Sequence, residues 1–205
     1  MSNERIVVGL TGNIATGKSA VMRLAAEQGA LTLDADKLVH EILDGDTAVQ
    51  NAIVTTFGLA VRRDDGRIDR AALGQIVFAD AAALQRLEAI VHPAVRALLV
   101  RRIANSSAPV IMIEAIKLLE GALRAMCQQI WVTDCTVERQ LQRLQICRGL
   151  DEETAMIRIK AQSPAALKTA AADVVIDTNG LMDDTVAQFA VGWAALLNSS
   201  GVARP

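Results

Sequence analysis

A glycine-bounded loop near the start of the chain has the spacing that binding of a nucleoside triphosphate requires. Residues 12–19 match the pattern G-x-x-x-x-G-K-[ST] at every defined position. Gly12 and Gly17 allow backbone conformations that turn N–H groups toward phosphate. Lys18 is expected to reach the β- and γ-phosphates, and Ser19 to hold Mg²⁺. The predicted ATP-binding residues are Gly12, Asn13, Ile14, Ala15, Thr16, Gly17, Lys18, Ser19 and Ala20.

Three carboxylates follow apolar runs in the way that ligand-binding acids follow the strands of open α/β sheets. Asp34 and Asp36 come after the second run, and we predict that both bind an acceptor substrate. One of these two acids could accept or orient the proton of an attacking hydroxyl, and the alternative is helix capping, above all for Asp34. Glu114 ends the third run and is predicted to act in the Mg²⁺ shell. The alternative is a surface acid, with Glu120 as a weaker candidate nearby.

An arginine-rich helical stretch at about residues 138–162 is predicted to form a lid of two helices. Arg148-Gly149 interrupts it, and an acidic run opens the second half. Arg143 is predicted to stabilise charge on the transferring phosphoryl group, and Arg148 to bind ATP. The alternative is a solvated charged face, which is the usual reason for such a run.

Two further polar residues are candidates for ligand contacts. His92-Pro93 follows a helix predicted from Leu84 to Val91, and His92 is a possible acceptor ligand or a packed residue. Asn179 follows the fifth apolar run, where a loop beside the phosphate loop could hold adenine. The alternative for Asn179 is an Asn-Gly turn.

The elements that must position these residues alternate between strands and helices. Apolar runs predict strands over Arg5–Thr11, Ala30–Leu33, Val110–Glu114, Gln129–Val132 and Val174–Ile176. Helices are predicted over Lys18–Gln28 and Lys37–Leu43, and a helical insertion at about residues 60–105. Strand–loop–helix–strand order predicts βαβ units and a parallel α/β sheet. We predict one domain over residues 1–205, with a disordered tail over 198–205.

Composition excludes several other classes of protein. The formal net charge is -2 in 205 residues, which gives no basic face for nucleic acid. Aromatic residues are 2% of the chain and tyrosine is absent, so base stacking is not the main recognition device. The three cysteines form no metal or disulfide framework, and no apolar run is long enough for a membrane span. We predict a reduced, cytoplasmic protein that is a monomer or weak homo-oligomer.

Taken in order along the chain, these motifs resemble those of the dephospho-CoA kinase family. The resemblance rests on the phosphate loop, Asp34-Ala35-Asp36, Gly66-Arg67-Ile68-Asp69-Arg70, the stretch Leu87 to Pro93, Gln142-Arg143-Leu144, Arg158-Ile159 with Gln162, and Ala172 to Asp177. The phosphate loop is shared by many families. The Asp-Ala-Asp and Leu-Glu-x-Ile-x-His-Pro elements in this order are much more specific.

The resemblance implies a three-layer P-loop kinase fold with helices on both faces of a five-stranded parallel sheet, in strand order 2-3-1-4-5. It implies that ATP phosphorylates the ribose 3′-hydroxyl of dephospho-CoA, that Asp36 is the base, and that the insertion binds the acceptor. The family's usual Pro-Leu-Leu-x-Glu is replaced by residues 117–121, Lys-Leu-Leu-Glu-Gly. A nucleoside or nucleotide kinase and a non-catalytic ATP-binding regulatory protein are the alternatives.

Overall fold

The computed structural model describes residues 5–200, which fall into two compact units. The sheet unit comprises residues 5–33 and 107–200, and the helical unit comprises residues 34–106. In chain order the elements are β1 Ile6–Thr11, α1 Lys18–Glu27, β2 Leu31–Asp34, α2 Ala35–Gly45, α3 Thr47–Phe57, α4 Arg70–Ala79, α5 Ala81–Ala104, β3 Val110–Glu114, β4 Gln129–Asp134, α6 Val137–Arg148, α7 Glu152–Lys160, α8 Ala165–Ala170, β5 Val174–Asp177 and α9 Met182–Ser200. Short 3-10 turns cover Leu59–Val61 and Ala122–Met126.

The five strands form one sheet in the order β2-β3-β1-β4-β5, which confirms the predicted parallel α/β core. β1 pairs in parallel with β3 and β4, with Leu10 opposite both Glu114 and Trp131. Because parallel strands end at the same edge, the segments after β1, β3, β4 and β5 are brought together there. All five predicted strands exist, with ends displaced by at most two residues.

One face of the sheet packs against α1 and α9 through a continuous apolar cluster. Val8, Leu10 and Met112 contribute from the strands, while Val21 and Trp193 contribute from the helices. The cluster also contains both tryptophans of the chain and one of its three phenylalanines. Three of the five aromatic residues therefore serve the core.

The opposite face of the sheet is covered by the segment that follows β3. Leu118 is fully buried, and a Cβ placed on Gly9 would lie 2.5 Å from its Cδ2 atom. The same Cβ would lie 2.8 Å from the Sγ atom of Cys127, which is also buried. Glycine at position 9 is therefore required by close packing between β1 and this segment.

The helical unit is built around α5, which contacts α2, α3 and α4. The prediction that a helix ends at Val91, before His92-Pro93, is wrong, because α5 continues through Pro93 to Ala104. Val91, Val95, Leu98 and Leu99 are buried, so the apolar face extends across the proline. Packing of that face outweighs the one backbone hydrogen bond that proline removes.

The helical segment between β2 and β3 is longer than the predicted insertion at about residues 60–105. It begins at Ala35, because α2 and α3 already belong to the helical unit. The sequence did not indicate α3, because about half of its residues are β-branched threonine, valine or isoleucine, which have low helix propensity. Asp46 caps α3 by accepting from the N–H groups of Ala48 and Val49.

The predicted disorder over residues 198–205 is wrong at its start, because α9 continues to Ser200. Leu196 and Leu197 are buried in the core cluster, and their packing extends the helix. Residues 201–205 lie outside the described residues, as do residues 1–4. No helix within residues 5–200 has the length and apolarity to cross a membrane.

Candidate active site

The loop after β1 has the backbone conformation that its two glycines were predicted to provide. Gly12 has a φ of 149° and Gly17 a φ of 92°, both in the region that favours glycine. A Cβ on Gly12 would lie 2.5 Å from the backbone oxygen of Thr133 in β4, so close packing also requires glycine there. The loop is therefore fixed against β4 by contacts that tolerate no side chain at its first residue.

Lys18 is buried at the first turn of α1 and folds back over the loop. Its Nζ atom donates to the carbonyl oxygens of Gly12 and Asn13, each at 3.0 Å. The same ammonium lies 4.0 Å from Oε1 of Glu114 at the end of β3. The loop, Lys18 and Glu114 therefore converge within the sheet unit. Glu120, the competing acid after β3, is exposed.

The start of α1 can receive an anion. Gly17 caps the helix without a side-chain hydrogen bond, and the first turn contains no acidic residue. No acidic side chain of the first turn therefore competes with a ligand for its N–H groups and partial positive charge. Ser19 is exposed in this turn, so its hydroxyl can reach a ligand. This donor set fits a triphosphate.

Mg²⁺ fits the same residues without needing a ring of protein ligands. Among residues 5–200 no group of three or more His, Cys, Asp or Glu side chains could hold a metal ion. Mg²⁺ usually keeps several waters and binds through substrate phosphates and one or two protein groups. The Ser19 hydroxyl and the Glu114 carboxylate suit such a site.

Side chains within the loop brace its conformation. The Thr16 hydroxyl lies 2.8 Å from both the carbonyl oxygen of Asn13 and the Thr133 hydroxyl. Ala15 has a φ of 60°, a left-handed conformation that non-glycine residues adopt at some energetic cost. The strain at Ala15 must be offset by contacts of the surrounding residues.

Arg143 on α6 supplies one of these contacts. Its guanidinium donates to the carbonyl oxygen of Ala15 at 3.0 Å and to the Oγ1 and carbonyl oxygen of Thr178 at 3.0 and 2.6 Å. Thr178 follows β5, and its own hydroxyl donates to the carbonyl oxygen of Thr16 at 2.8 Å. Arg143 therefore joins the phosphate loop to the loop after β5. The sequence did not indicate Thr178 as part of this network, since a lone threonine carries no motif.

The two-helix arrangement predicted for about residues 138–162 is present as α6 and α7. α6 ends at Arg148, and Gly149 follows with a φ of 62°. Arg148 is exposed at this end, in contrast to the half-buried Arg143. The two predicted arginines thus lie on the same helix in different surroundings.

Asn179, predicted to contact adenine, is held by neighbouring groups in the loop after β5. Its Oδ1 accepts from the Thr136 N–H at 2.8 Å, and its Nδ2 donates to Asp177 at 2.7 Å. Its carbonyl oxygen accepts from Arg139. The geometry therefore makes the Asn179 side chain a support of this loop, and Arg139 is a loop-ordering residue that the sequence did not single out.

Of the predicted acceptor residues, Asp34 has a capping role. Its Oδ1 accepts from the Lys37 N–H at 3.1 Å, so Asp34 is the N-cap of α2, the alternative that the sequence left open. Asp36 lies in the first turn of the same helix and is exposed. His92 is exposed in the middle of α5. All three belong to the helical unit.

The segment that departs from the family pattern, residues 117–121, is anchored at its start. The carbonyl oxygen of Ile116 accepts from the Thr11 hydroxyl and from Lys168 Nζ, both at 3.1 Å. Burial lowers the pKa of Lys168, while the charge of Glu120 opposes that shift. Lys168 lies in an unremarkable part of the sequence, and only the fold brings it to this segment.

Comparison with known proteins identifies the family of this chain. The family model described as Dephospho-CoA kinase matches residues 6–184. The chain belongs to the dephospho-CoA kinase family. A dephospho-CoA kinase of Geobacter sulfurreducens is 40% identical over 191 residues, covering 92% of this chain and 97% of the relative.

Solved structures agree with this family assignment. A dephospho-CoA kinase from Campylobacter jejuni superposes with a TM-score of 0.66 at 25% identity, covering 94% of this chain and 98% of that one. A Thermus thermophilus protein superposes with a TM-score of 0.83 at 29% identity, covering 95% and 98%. The chain is thus a dephospho-CoA kinase family member with a P-loop kinase fold, and it transfers phosphate from ATP to an alcohol.

Proposed function

We propose that this protein phosphorylates the ribose 3′-hydroxyl of dephospho-CoA, with Asp36 as the proton acceptor. The family match over residues 6–184 carries the choice of substrate. In the reaction the 3′-oxygen attacks the γ-phosphorus, the bond to the β–γ bridging oxygen breaks, and ADP leaves. The hydroxyl proton passes to the Asp36 carboxylate, which suits a carboxylate that is exposed at a helix start.

The residues of the phosphate loop are proposed to hold the triphosphate. Loop N–H groups and the start of α1 would bind the phosphate oxygens, with Lys18 placed between loop carbonyls and Glu114. When ATP binds, the Lys18 ammonium exchanges carbonyl partners for the β- and γ-phosphates, where it stabilises negative charge. Ser19 and Glu114 would hold Mg²⁺, which neutralises phosphate charge when it is bound.

The acceptor is proposed to bind to the helical unit. Asp36 and His92 are exposed there, so both can reach a ligand. Asp34 fixes the start of α2 and thereby the position of Asp36 two residues later. We therefore assign Asp34 an indirect role in acceptor binding and Asp36 and His92 direct contacts.

The α6–α7 hairpin is proposed to be the lid over ATP. Arg148 is exposed at its turn and would contact the nucleotide, while Arg143 contacts the phosphate loop from the middle of α6. Asn179 would support the adenine-side loop through the contacts that it makes with Thr136 and Asp177. We also propose a cytoplasmic location and a monomer or weak homo-oligomer, which sedimentation velocity would test.

The decisive experiment is a coupled ADP-release assay with dephospho-CoA, adenosine and nucleoside monophosphates as alternative acceptors. We expect ADP release to depend on dephospho-CoA, and mass spectrometry to show one added phosphate. Phosphorus NMR of the product should show a 3′-phosphomonoester. Phosphorylation of nucleotides in place of dephospho-CoA would reject the proposed acceptor.

The same assay distinguishes a kinase from a non-catalytic ATP-binding protein. A regulatory ATP-binding protein would bind ATP in calorimetry and release no ADP with any acceptor. Dephospho-CoA kinase activity that is lost on chelation of Mg²⁺ and restored by added Mg²⁺ supports the proposed metal requirement. Activity unaffected by a chelator would reject it.

A further inference from the structure

Two hydrogen bonds join the phosphate loop to the residues that follow α7. The Ile14 N–H donates to Oε1 of Gln162 at 2.6 Å. One residue earlier in the loop, Asn13 donates through Nδ2 to the carbonyl oxygen of Ser163 at 3.1 Å. Gln162 and Ser163 lie two and three residues after the end of α7. Two consecutive loop residues are thus bound to two consecutive residues at the end of the hairpin.

Apolar packing joins the same two parts of the sheet unit. The hairpin has its own buried cluster of Leu144, Ala155 and Ile159. Ile14 and Ala15 of the phosphate loop pack against this cluster. The loop segment from 13 to 15 is therefore held to the hairpin by side-chain packing as well as by hydrogen bonds.

The second of these hydrogen bonds depends on the side chain of Asn13. A glycine has no side chain and could not reach Ser163. The Asn13 Oδ1 atom is buried with no hydrogen-bond partner among the described residues, although its Nδ2 is paired. A buried unpaired acceptor destabilises a fold by about 1–3 kcal/mol, so stability alone does not account for Asn13.

The loop needs such restraint because part of its backbone is strained. Ala15 has a φ of 60°, a conformation in which a glycine would be unstrained and an alanine is not. A loop that leaves this conformation binds nucleotide more weakly, because apparent affinity falls with the fraction of molecules in the competent state. Contacts at the neighbouring residues 13 and 14 raise that fraction.

We propose that Gln162 and Asn13 are positioning residues for ATP: they hold residues 13–15 in the phosphate-binding conformation and couple that conformation to the hairpin. Gln162 fixes the peptide between Asn13 and Ile14 by accepting the Ile14 N–H. Asn13 adds a second attachment one residue away. The inference depends on ATP binding by the loop and does not depend on which acceptor is phosphorylated.

The Ile14 amide gives a readout that is independent of activity. In ¹⁵N-labelled full-length protein, Gln162→Met keeps the side-chain volume but removes the acceptor. We expect the Ile14 amide to exchange with solvent at least about tenfold faster, as a lost protecting hydrogen bond allows, while β1 amides are unchanged. Gln162→Glu retains an acceptor oxygen and should restore protection. Unchanged Ile14 exchange in Gln162→Met would overturn the proposal.

Kinetics and binding then test the positioning role. If the competent fraction falls to about one fifth, the ATP Kd and KM of Gln162→Met rise about fivefold, and kcat changes less than threefold. Asn13→Gly should give a similar rise with little change in Tm, because it removes the unpaired acceptor together with the bond. Gln145→Ala, an exposed glutamine on α6, is the matched control and should leave all values unchanged.

A double variant distinguishes a shared role from two separate ones. If both residues maintain one loop conformation, Asn13→Gly with Gln162→Met raises the ATP Kd clearly less than the product of the single effects. Multiplicative effects, or an ATP Kd unchanged in both single variants, would overturn the coupling. Calorimetry measures these ATP Kd values in the absence of any acceptor. The test therefore remains valid even if the protein phosphorylates an acceptor other than dephospho-CoA.

Discussion

The sheet unit and the helical unit hold their candidate functional groups in contrasting ways. In the sheet unit Lys18 is buried, and Arg143 and Asn179 each have several hydrogen-bond partners. In the helical unit Asp36 and His92 are exposed. The groups proposed to bind phosphate are thus held by contacts within the fold, whereas the groups proposed to bind the acceptor are accessible to solvent. Preorganised groups contribute most to stabilising developing charge, which sets the expected order of mutational effects.

The largest effect is expected from Lys18→Ala. It removes the one ammonium that the loop carbonyls and Glu114 surround. We expect kcat/KM to fall by about 10³-fold, the loss typical when a preorganised group no longer stabilises transition-state charge. Steady-state assays with both substrates varied measure it. Arg23→Ala, an exposed residue of the same helix, is the control. Activity near wild type in Lys18→Ala would contradict the phosphate-loop mechanism.

Asp36→Asn tests the proposed proton acceptor in the helical unit. The amide keeps the shape of the side chain but cannot accept the hydroxyl proton. We expect kcat to fall by about 10²-fold, with the calorimetric Kd for ATP unchanged. Asp44→Asn on the same helix should behave as wild type, since Asp44 is exposed. Unchanged turnover in Asp36→Asn would remove Asp36 from the mechanism.

Arg143→Lys asks whether this arginine acts on the loop or on the phosphoryl group. One ammonium cannot replace a guanidinium that contacts Ala15 and two atoms of Thr178. If its role is to hold the loop, the ATP KM rises about tenfold with a smaller change in kcat, because fewer molecules have the competent loop. A fall in kcat with the ATP KM unchanged would instead support direct stabilisation of the transferring phosphoryl group.

His92→Gln should have a smaller effect that is confined to the acceptor. Loss of one exposed hydrogen bond raises the KM for dephospho-CoA about threefold and leaves the KM for ATP unchanged. His40 is the only other histidine and is also exposed, so His40→Gln is the matched control. An altered ATP KM in His92→Gln, with an unchanged KM for dephospho-CoA, would contradict its assignment to acceptor binding.

The cysteines, all in the sheet unit, should give the smallest effect on catalysis. Burial raises the pKa of Cys127 to about 11, so the folded protein retains a proton that the unfolded chain loses near its ordinary value of 9.0. Its contribution to stability therefore declines as pH rises from about 9 toward 11. At pH 8 iodoacetamide should label exposed Cys147 first and leave kcat unchanged. Peptide mass spectrometry locates the label; faster labelling of Cys127 would contradict the burial argument.

Prediction from sequence succeeded where a local signal and the tertiary structure agree. All five strands were found because buried parallel strands are continuous apolar runs. Prediction failed at Pro93, because a local rule for helix ends was outweighed by the apolar face that continues to Leu99. The prediction of disorder from Asn198 also failed, because packing of Leu196 and Leu197 extends α9 into the polar residues that follow them.

The phosphate-loop motif by itself indicated ATP and phosphoryl transfer and predicted roles for Gly12, Lys18 and Ser19, because backbone geometry and charge at fixed spacing define that chemistry. Only the tertiary structure decided which side chains hold the loop in place. Gln162, Arg143 and Thr178 are more than 120 residues from the loop in sequence. Hydrogen bonds between residues so far apart in sequence form because the parallel strands of the sheet end at the same edge. No local sequence pattern predicts which side chains come together there.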